Sequence, residues 1–199
     1  PYEPGKPIDD VAKEYGISNI IKLASNENPL GASPKALRSI ADLDDSLHLY
    51  PDGNCTELKN AIARHEKVAE ESVILGNGSN EVLELIARAW LNPSRNAITS
   101  RHAFAVYKIV TQAAGAKLIE VEAKNWKFNL EAFHNYFNEE TAVIFIANPN
   151  NPTGTYNTHK EIEDFLLNVP SNILVVLDCA YYEYCLLYTS PSPRDQLTS

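Results

Sequence analysis

A parallel α/β sheet is the fold class this 199-residue sequence predicts, and three features carry the prediction. Short apolar runs alternate along the chain with segments of helical period, the pattern of repeated βα units. Two of the runs, residues 142–147 and 173–177, are uninterrupted and rich in β-branched residues, as strands buried on both faces require. Glycine or proline turns follow the runs where strand gives way to helix, at Gly76-Asn77-Gly78 and at Asn148-Pro149-Asn150-Asn151-Pro152-Thr153-Gly154.

Residues 1–18 form a proline-punctuated arm with a short helical stretch ending near Gly16, and residues 20–23 read as a short strand. Ser33-Pro34 starts a helix, serine at the N-cap and proline at the first helical position, with Ala36, Leu37 and Ile40 as its apolar face. Tyr50-Pro51-Asp52-Gly53 is a turn by composition. Thr56 is expected to cap the next helix, where Leu58, Ala61, Ile62 and His65 fall at helical spacing. Residues 73–75 read as a strand feeding Gly76. The helix after it carries Val82, Leu83, Leu85, Ile86, Ala89 and Trp90 as a buried stripe. Strands follow at 97–99 and 117–121, with helices at 103–114, bearing Phe104 and Tyr107, and at 130–137. A helix at 158–168 joins the two long apolar runs, and the second run ends in Asp178.

A chain of this length can bury about 70% of its unfolded surface. The 17 basic and 26 acidic residues give a net charge of −9, which argues against nucleic acid or an anionic membrane as the main partner. No apolar stretch approaches a membrane span, no basic-then-apolar leader opens the chain, and three widely spaced cysteines suit a reducing cytoplasm. The chain begins at Pro1 and has no methionine, so it is expected to be incomplete at its amino end. The five histidines show no metal-ligand spacing, and no metal site is expected.

The Asn-Pro turn draws the functional reading. Each proline removes a backbone donor and pushes its predecessor toward extended geometry, so two Asn-Pro pairs make a stiff, non-helical loop. Such a loop at the carboxyl end of a buried parallel strand lies where open α/β sheets bind ligands. Gly76-Asn77-Gly78-Ser79-Asn80-Glu81 places free amides and a helix dipole where an anion is favoured, although Glu81 at the third glycine position excludes a dinucleotide fingerprint. Asp178 reads either as a helix cap or as a ligand group, the latter favoured by the tyrosines behind it. From Leu186 the composition turns to Ser, Thr and Pro, consistent with a natural tail or with foreign sequence.

Tyr2-Glu3-Pro4-Gly5-Lys6-Pro7, Lys22-Leu23-Ala24-Ser25-Asn26-Glu27-Asn28-Pro29, Tyr50-Pro51-Asp52-Gly53, Gly76-Asn77-Gly78-Ser79-Asn80-Glu81, the Asn-Pro loop and Asp178-Cys179-Ala180-Tyr181 together resemble the histidinol-phosphate aminotransferase family, in register from Tyr2 to Tyr184. The resemblance implies a three-layer α/β/α, mostly parallel sheet of the pyridoxal-phosphate-dependent fold type I, here truncated. It implies a homodimeric, cytoplasmic enzyme of histidine biosynthesis that passes an amino group from glutamate to imidazole-acetol phosphate, making histidinol phosphate. By position, the amides of Gly78, Ser79 and Asn80 would hold the phosphate of pyridoxal 5′-phosphate. Tyr107 would stack on its ring, Asn151 and Tyr181 would bond its O3′, and Asp178 would pair with its ring nitrogen. Tyr50 would reach the phosphate of the neighbouring subunit, with Tyr2 and Asn26 near substrate. The implied domains are residues 1–45, an arm and part of a small domain, and residues 46–184, the cofactor domain, with 185–199 a non-native tail.

Cys179 departs from the family, which has Glu there. None of the lysines stands in the family's Ser-Lys context. The lysine that binds the cofactor and the substrate-binding arginines belong to the family's second half, so the chain is expected to be an inactive fragment. Two strands from that half are expected between the strand entering Gly76 and the strand at 142–147. Other aminotransferases of the class, a threonine-phosphate decarboxylase, and a non-catalytic cofactor- or partner-binding module are the alternative readings.

Overall fold

The computed structural model describes residues 5–23, 25–42 and 48–185. The chain divides into two compact units, Pro1–Val73 and Ile74–Ser199. The domain boundary expected between residues 45 and 46 and nearly all of the tail at 185–199 lie outside the described residues.

Among its described residues the first unit holds three α-helices, α1 (Ile8–Tyr15), α2 (Pro34–Ala41) and α3 (Thr56–Glu66). Gly16 ends α1 at φ 64°, a left-handed cap that glycine adopts without steric cost. Ser33 and Pro34 open α2 as expected, but the Ser33 side chain makes no capping bond. At α3 the capping group is Asp52 rather than Thr56: its carboxylate accepts from the amides of Asn54 and Thr56, each at 2.9 Å. These bonds, that from the Thr56 amide foremost, hold the Asp52 carboxyl below its ordinary pKa. The strands expected at 20–23 and 73–75 do not form; Ile21, Leu23 and Ile74 are exposed, and no neighbouring strand among the described residues supplies a ladder for them. An apolar run without a partner leaves its backbone donors to water.

The second unit is built on β1 (Asn96–Ser100), β2 (Lys117–Val121), β3 (Thr141–Ala147) and β4 (Leu174–Asp178), in the order β2-β1-β3-β4. All pairs are parallel. Every residue of β1 and β3 is buried. The expected gap beside residues 142–147 is therefore absent: β3 is the inner strand, with β1 on one side and β4 on the other. The helices are α4 (Ser79–Trp90), α5 (Ala105–Ala113), α6 (Leu130–Phe133) and α7 (His159–Leu166). The stripe on α4 is narrower than expected. Leu83 and Ala87 are buried, while Leu85, Ala89 and Trp90 are exposed. Residues 134–136 tighten into a 3-10 turn, which ends α6 early.

The strand order reverses between β1 and β3: the β1-α5-β2 connection runs one way and β3-α7-β4 the other. Right-handed crossovers then put α5 and α7 on opposite faces of the sheet, and open the crevice for ligands at the carboxyl ends of β1 and β3.

Candidate active site

Asp178 closes β4, and three groups fix it there. The Tyr107 hydroxyl donates to its Oδ2 at 2.8 Å, the Ala180 amide donates to its Oδ1 at 3.1 Å, and the Asn148 amide donates to its backbone carbonyl at 2.9 Å. The carboxylate organises the turn after β4, and each of its oxygens accepts one hydrogen bond and has room for another.

Tyr107 projects from α5 and is wholly buried, its ring stacked on Phe145 of β3 with centroids 5.0 Å apart and planes 5° apart. Burial above all, and then the Asp178 carboxylate, push its hydroxyl well above the usual tyrosine pKa. It is a fixed donor. A ring with no exposed surface has no face to offer a ligand in this structure, so the stacking role expected of Tyr107 is replaced by a hydroxyl contact. Phe104, edge-on to Tyr107 at 5.7 Å and half-buried, is the ring of that loop which keeps open surface.

The Asn-Pro loop leaves β3 and is knotted by its own asparagines. Asn148 and Asn157 bond side chain to backbone twice, at 2.7 and 2.9 Å. The Asn150 amide nitrogen donates to the His102 carbonyl and to Thr153 Oγ1, both at 2.7 Å, which ties the loops after β3 and β1 together across the switch point. Asn150 Oδ1 is buried without a partner. Asn151 is half-buried at the loop tip. The sequence singled out Asn151 alone; the density of asparagines in the motif was the signal for the others.

At the start of α4, Gly78 has φ 79°, a conformation suited to glycine. Its amide donates to the Gly76 carbonyl at 2.9 Å, so of the three expected anion donors this one is already engaged. Ser79 and Asn80 occupy the first helical turn, whose amides have no intrahelical partner. Glu81 reaches back to the Asn77 amide at 2.5 Å. Tyr181 is half-buried in the turn after β4. Asn26 and Tyr50 lie in the first unit, both exposed, and Tyr2 lies outside the described residues.

A cavity of about 730 Å³ opens beside α6 and α7, lined by Lys127, His134, Tyr156 and Glu161 among others; Asp178, Tyr107 and Asn151 do not line it. Among the described residues no His, Cys, Asp and Glu cluster could hold a metal ion, and no helix is long and apolar enough to cross a membrane.

A fold with its switch point at β1 and β3, an acid ending β4 and an asparagine loop ending β3 is the frame of an aminotransferase. The family model for aminotransferase class I and II matches residues 18–194, and the chain belongs to that family. Histidinol-phosphate aminotransferase 2 of Pseudomonas fluorescens is 56% identical over 186 residues, covering 92% of this chain and 50% of that protein. Among solved structures, histidinol-phosphate aminotransferase from Sinorhizobium meliloti, in complex with pyridoxal-5′-phosphate, superposes with a TM-score of 0.83 at 24% identity, covering 91% of this chain and 50% of that one. The enzyme of the same name from Clostridium acetobutylicum gives 0.71 at 25% identity, covering 80% and 47%. The chain spans about half the length of the curated relatives it matches.

Proposed function

We propose that the full-length product of this gene is a pyridoxal-phosphate-dependent transaminase that converts imidazole-acetol phosphate and glutamate to histidinol phosphate and 2-oxoglutarate. The observation that carries this reading is Asp178, an acid at the carboxyl end of β4 held by Tyr107 and Ala180 with acceptor capacity left over. The donor set fits the cofactor: an acid for a ring nitrogen, an amide and a phenol for a ring oxygen, and unpaired helix amides for a phosphate. When bound, pyridoxal 5′-phosphate supplies an electron sink for the substrate's α-carbon.

In this reading Asp178 keeps a proton on the ring nitrogen. Tyr107 is the positioning residue behind it, setting the carboxylate's orientation through Oδ2. Asn151 and Tyr181 orient the ring through its O3′, and Phe104 is the aromatic surface beside it. Ser79 and Asn80 bind the phosphate, where the dipole of α4 adds to two amide bonds; Gly78 joins them on giving up its bond to Gly76. The enzyme is a cytoplasmic homodimer in which Tyr50, fully exposed in the single chain, bonds the phosphate held by the partner subunit. Asn26 and Tyr2 are assigned to substrate binding. The domain division follows the family, an arm to residue 45 and a cofactor domain from residue 46.

The names of the curated relatives, at 49–56% identity, support the phosphorylated substrate over the aromatic amino acids. Steady-state assays of the full-length product test it. A kcat/KM for histidinol phosphate well above that for phenylalanine is expected, and equal values would move the assignment to a broad aromatic aminotransferase.

A further inference from the structure

We propose that Asn148 is a positioning residue for the cofactor, acting through the loop that carries Asn151; this rests on the reading of Asn151 as a cofactor ligand. Asn148 is the first residue after β3, and its backbone and side chain do different jobs. The backbone amide donates to the carbonyl of Asp178, extending the β3–β4 ladder by one bond. The side chain turns to the other end of the loop: Oδ1 accepts from the Asn157 amide at 2.7 Å and Nδ2 donates to the Asn157 carbonyl at 2.9 Å. Asn157 is anchored in turn, its Nδ2 donating to the Phe128 carbonyl at 3.1 Å. One residue thus joins the strand bearing the ring-nitrogen acid to both ends of the loop bearing the ring-oxygen donor.

The chemistry requires an amide. Facing one N–H and one C=O, the side chain must present an acceptor and a donor side by side. A carboxylate would set oxygen against the Asn157 carbonyl, and an aliphatic side chain would leave two buried backbone groups unpaired. Asn148 has no measurable exposure and Asn157 very little, so water cannot take over. Closing the loop does not by itself need Asn148. Asn150 and Thr155 already pair by backbone at 2.8 Å, and the Gly154 amide donates to the Asn150 carbonyl at 2.9 Å. Asn148 adds a second, outer pair at the base, next to Asp178. Its contribution is the registration of the loop on the strand, and therefore the separation of Asn151 from Asp178.

The test is a double-mutant cycle on the full-length product, read as the apparent Kd for pyridoxal 5′-phosphate by fluorescence titration of the cofactor-free protein. Asn151→Ala should weaken binding about tenfold, the worth of one hydrogen bond. Asn148→Leu should do the same alone but cost less than about threefold when Asn151 is already alanine, because the two act on one contact. Asn148→Asp keeps the acceptor and loses the donor; it serves if the leucine variant does not fold, with the same coupling expected. Phe165→Leu, a buried change in α7, should lower Tm yet leave the Kd within about twofold, which separates positioning from general destabilisation. Equal losses for the Asn148 variants with and without Asn151 would overturn the proposal while leaving the functional reading intact. No cofactor binding by the unaltered protein would overturn both.

Discussion

At the scale of single residues the site turns on one hydrogen bond, from Tyr107 to Asp178. Buried and raised in pKa, the phenol stays protonated across the physiological range, so it orients and does not exchange protons. Tyr107→Phe keeps the ring on Phe145 and removes the donor alone. A hydrogen bond to a charged group contributes about 1.5–3 kcal/mol, so turnover of the full-length enzyme should fall about tenfold to a hundredfold with the cofactor still bound. The basic limb of the pH–rate profile should not move, since the phenol does not titrate there. Unchanged turnover would show that Asp178 needs no positioning from α5. Asp178 was legible in the sequence because an acid ending a buried apolar run is conspicuous. The orientation of Tyr107 was not: which face of a helical aromatic meets which strand is decided by the sheet order, and α5 lies far from β4 in the chain.

At the scale of elements, α7 shows how local chemistry fixes the frame. Thr158 accepts from the Glu161 amide, and Glu161 reaches back to the Thr158 amide at 2.7 Å, a capping box. Lys127 donates to both Glu161 oxygens at 2.7 Å. The Lys127 bond, then the Thr158 amide, lower the Glu161 pKa from 4.5 to about 2. A folded value below the unfolded one means stability that is complete above pH 4.5 and lost as pH falls toward 2. Glu161→Gln should flatten the acid limb of stability in that window, measured by urea unfolding against pH; an unaltered limb would contradict the assignment. Thr158→Ala should lower stability at neutral pH by about 1 kcal/mol. The start of this helix could be read from Thr158 alone. The isolated apolar runs at 20–23 and 73–75 could not be read correctly, since an apolar triplet or quartet predicts a strand only where a neighbour exists to pair with it. The inner position of β3 was equally hidden, because pairing order is a property of the whole sheet.

At the scale of the molecule, β4 is one edge of the sheet, opposite β2. Among the described residues it pairs with β3 alone, and Val175, Val176 and Leu177 are only half-buried. An apolar edge strand with unpaired backbone groups invites association. Residues 1–199 expressed alone should therefore be poorly soluble and show no transaminase activity, since none of their lysines stands in the Ser-Lys context of the family's cofactor-binding lysine, the anchor and proton carrier of the reaction. A soluble, cooperatively melting product that transaminates histidinol phosphate would refute this.

Asp178 as the partner of the cofactor's ring nitrogen is the centre of the proposed function. The measurement is the ¹⁵N chemical shift of that nitrogen in labelled pyridoxal 5′-phosphate, bound to the full-length protein and to its Asp178→Asn variant. A protonated nitrogen in the unaltered protein and a deprotonated one in the variant, with turnover down by orders of magnitude, are the expected results. The same shift in both proteins, with turnover preserved, would contradict the account.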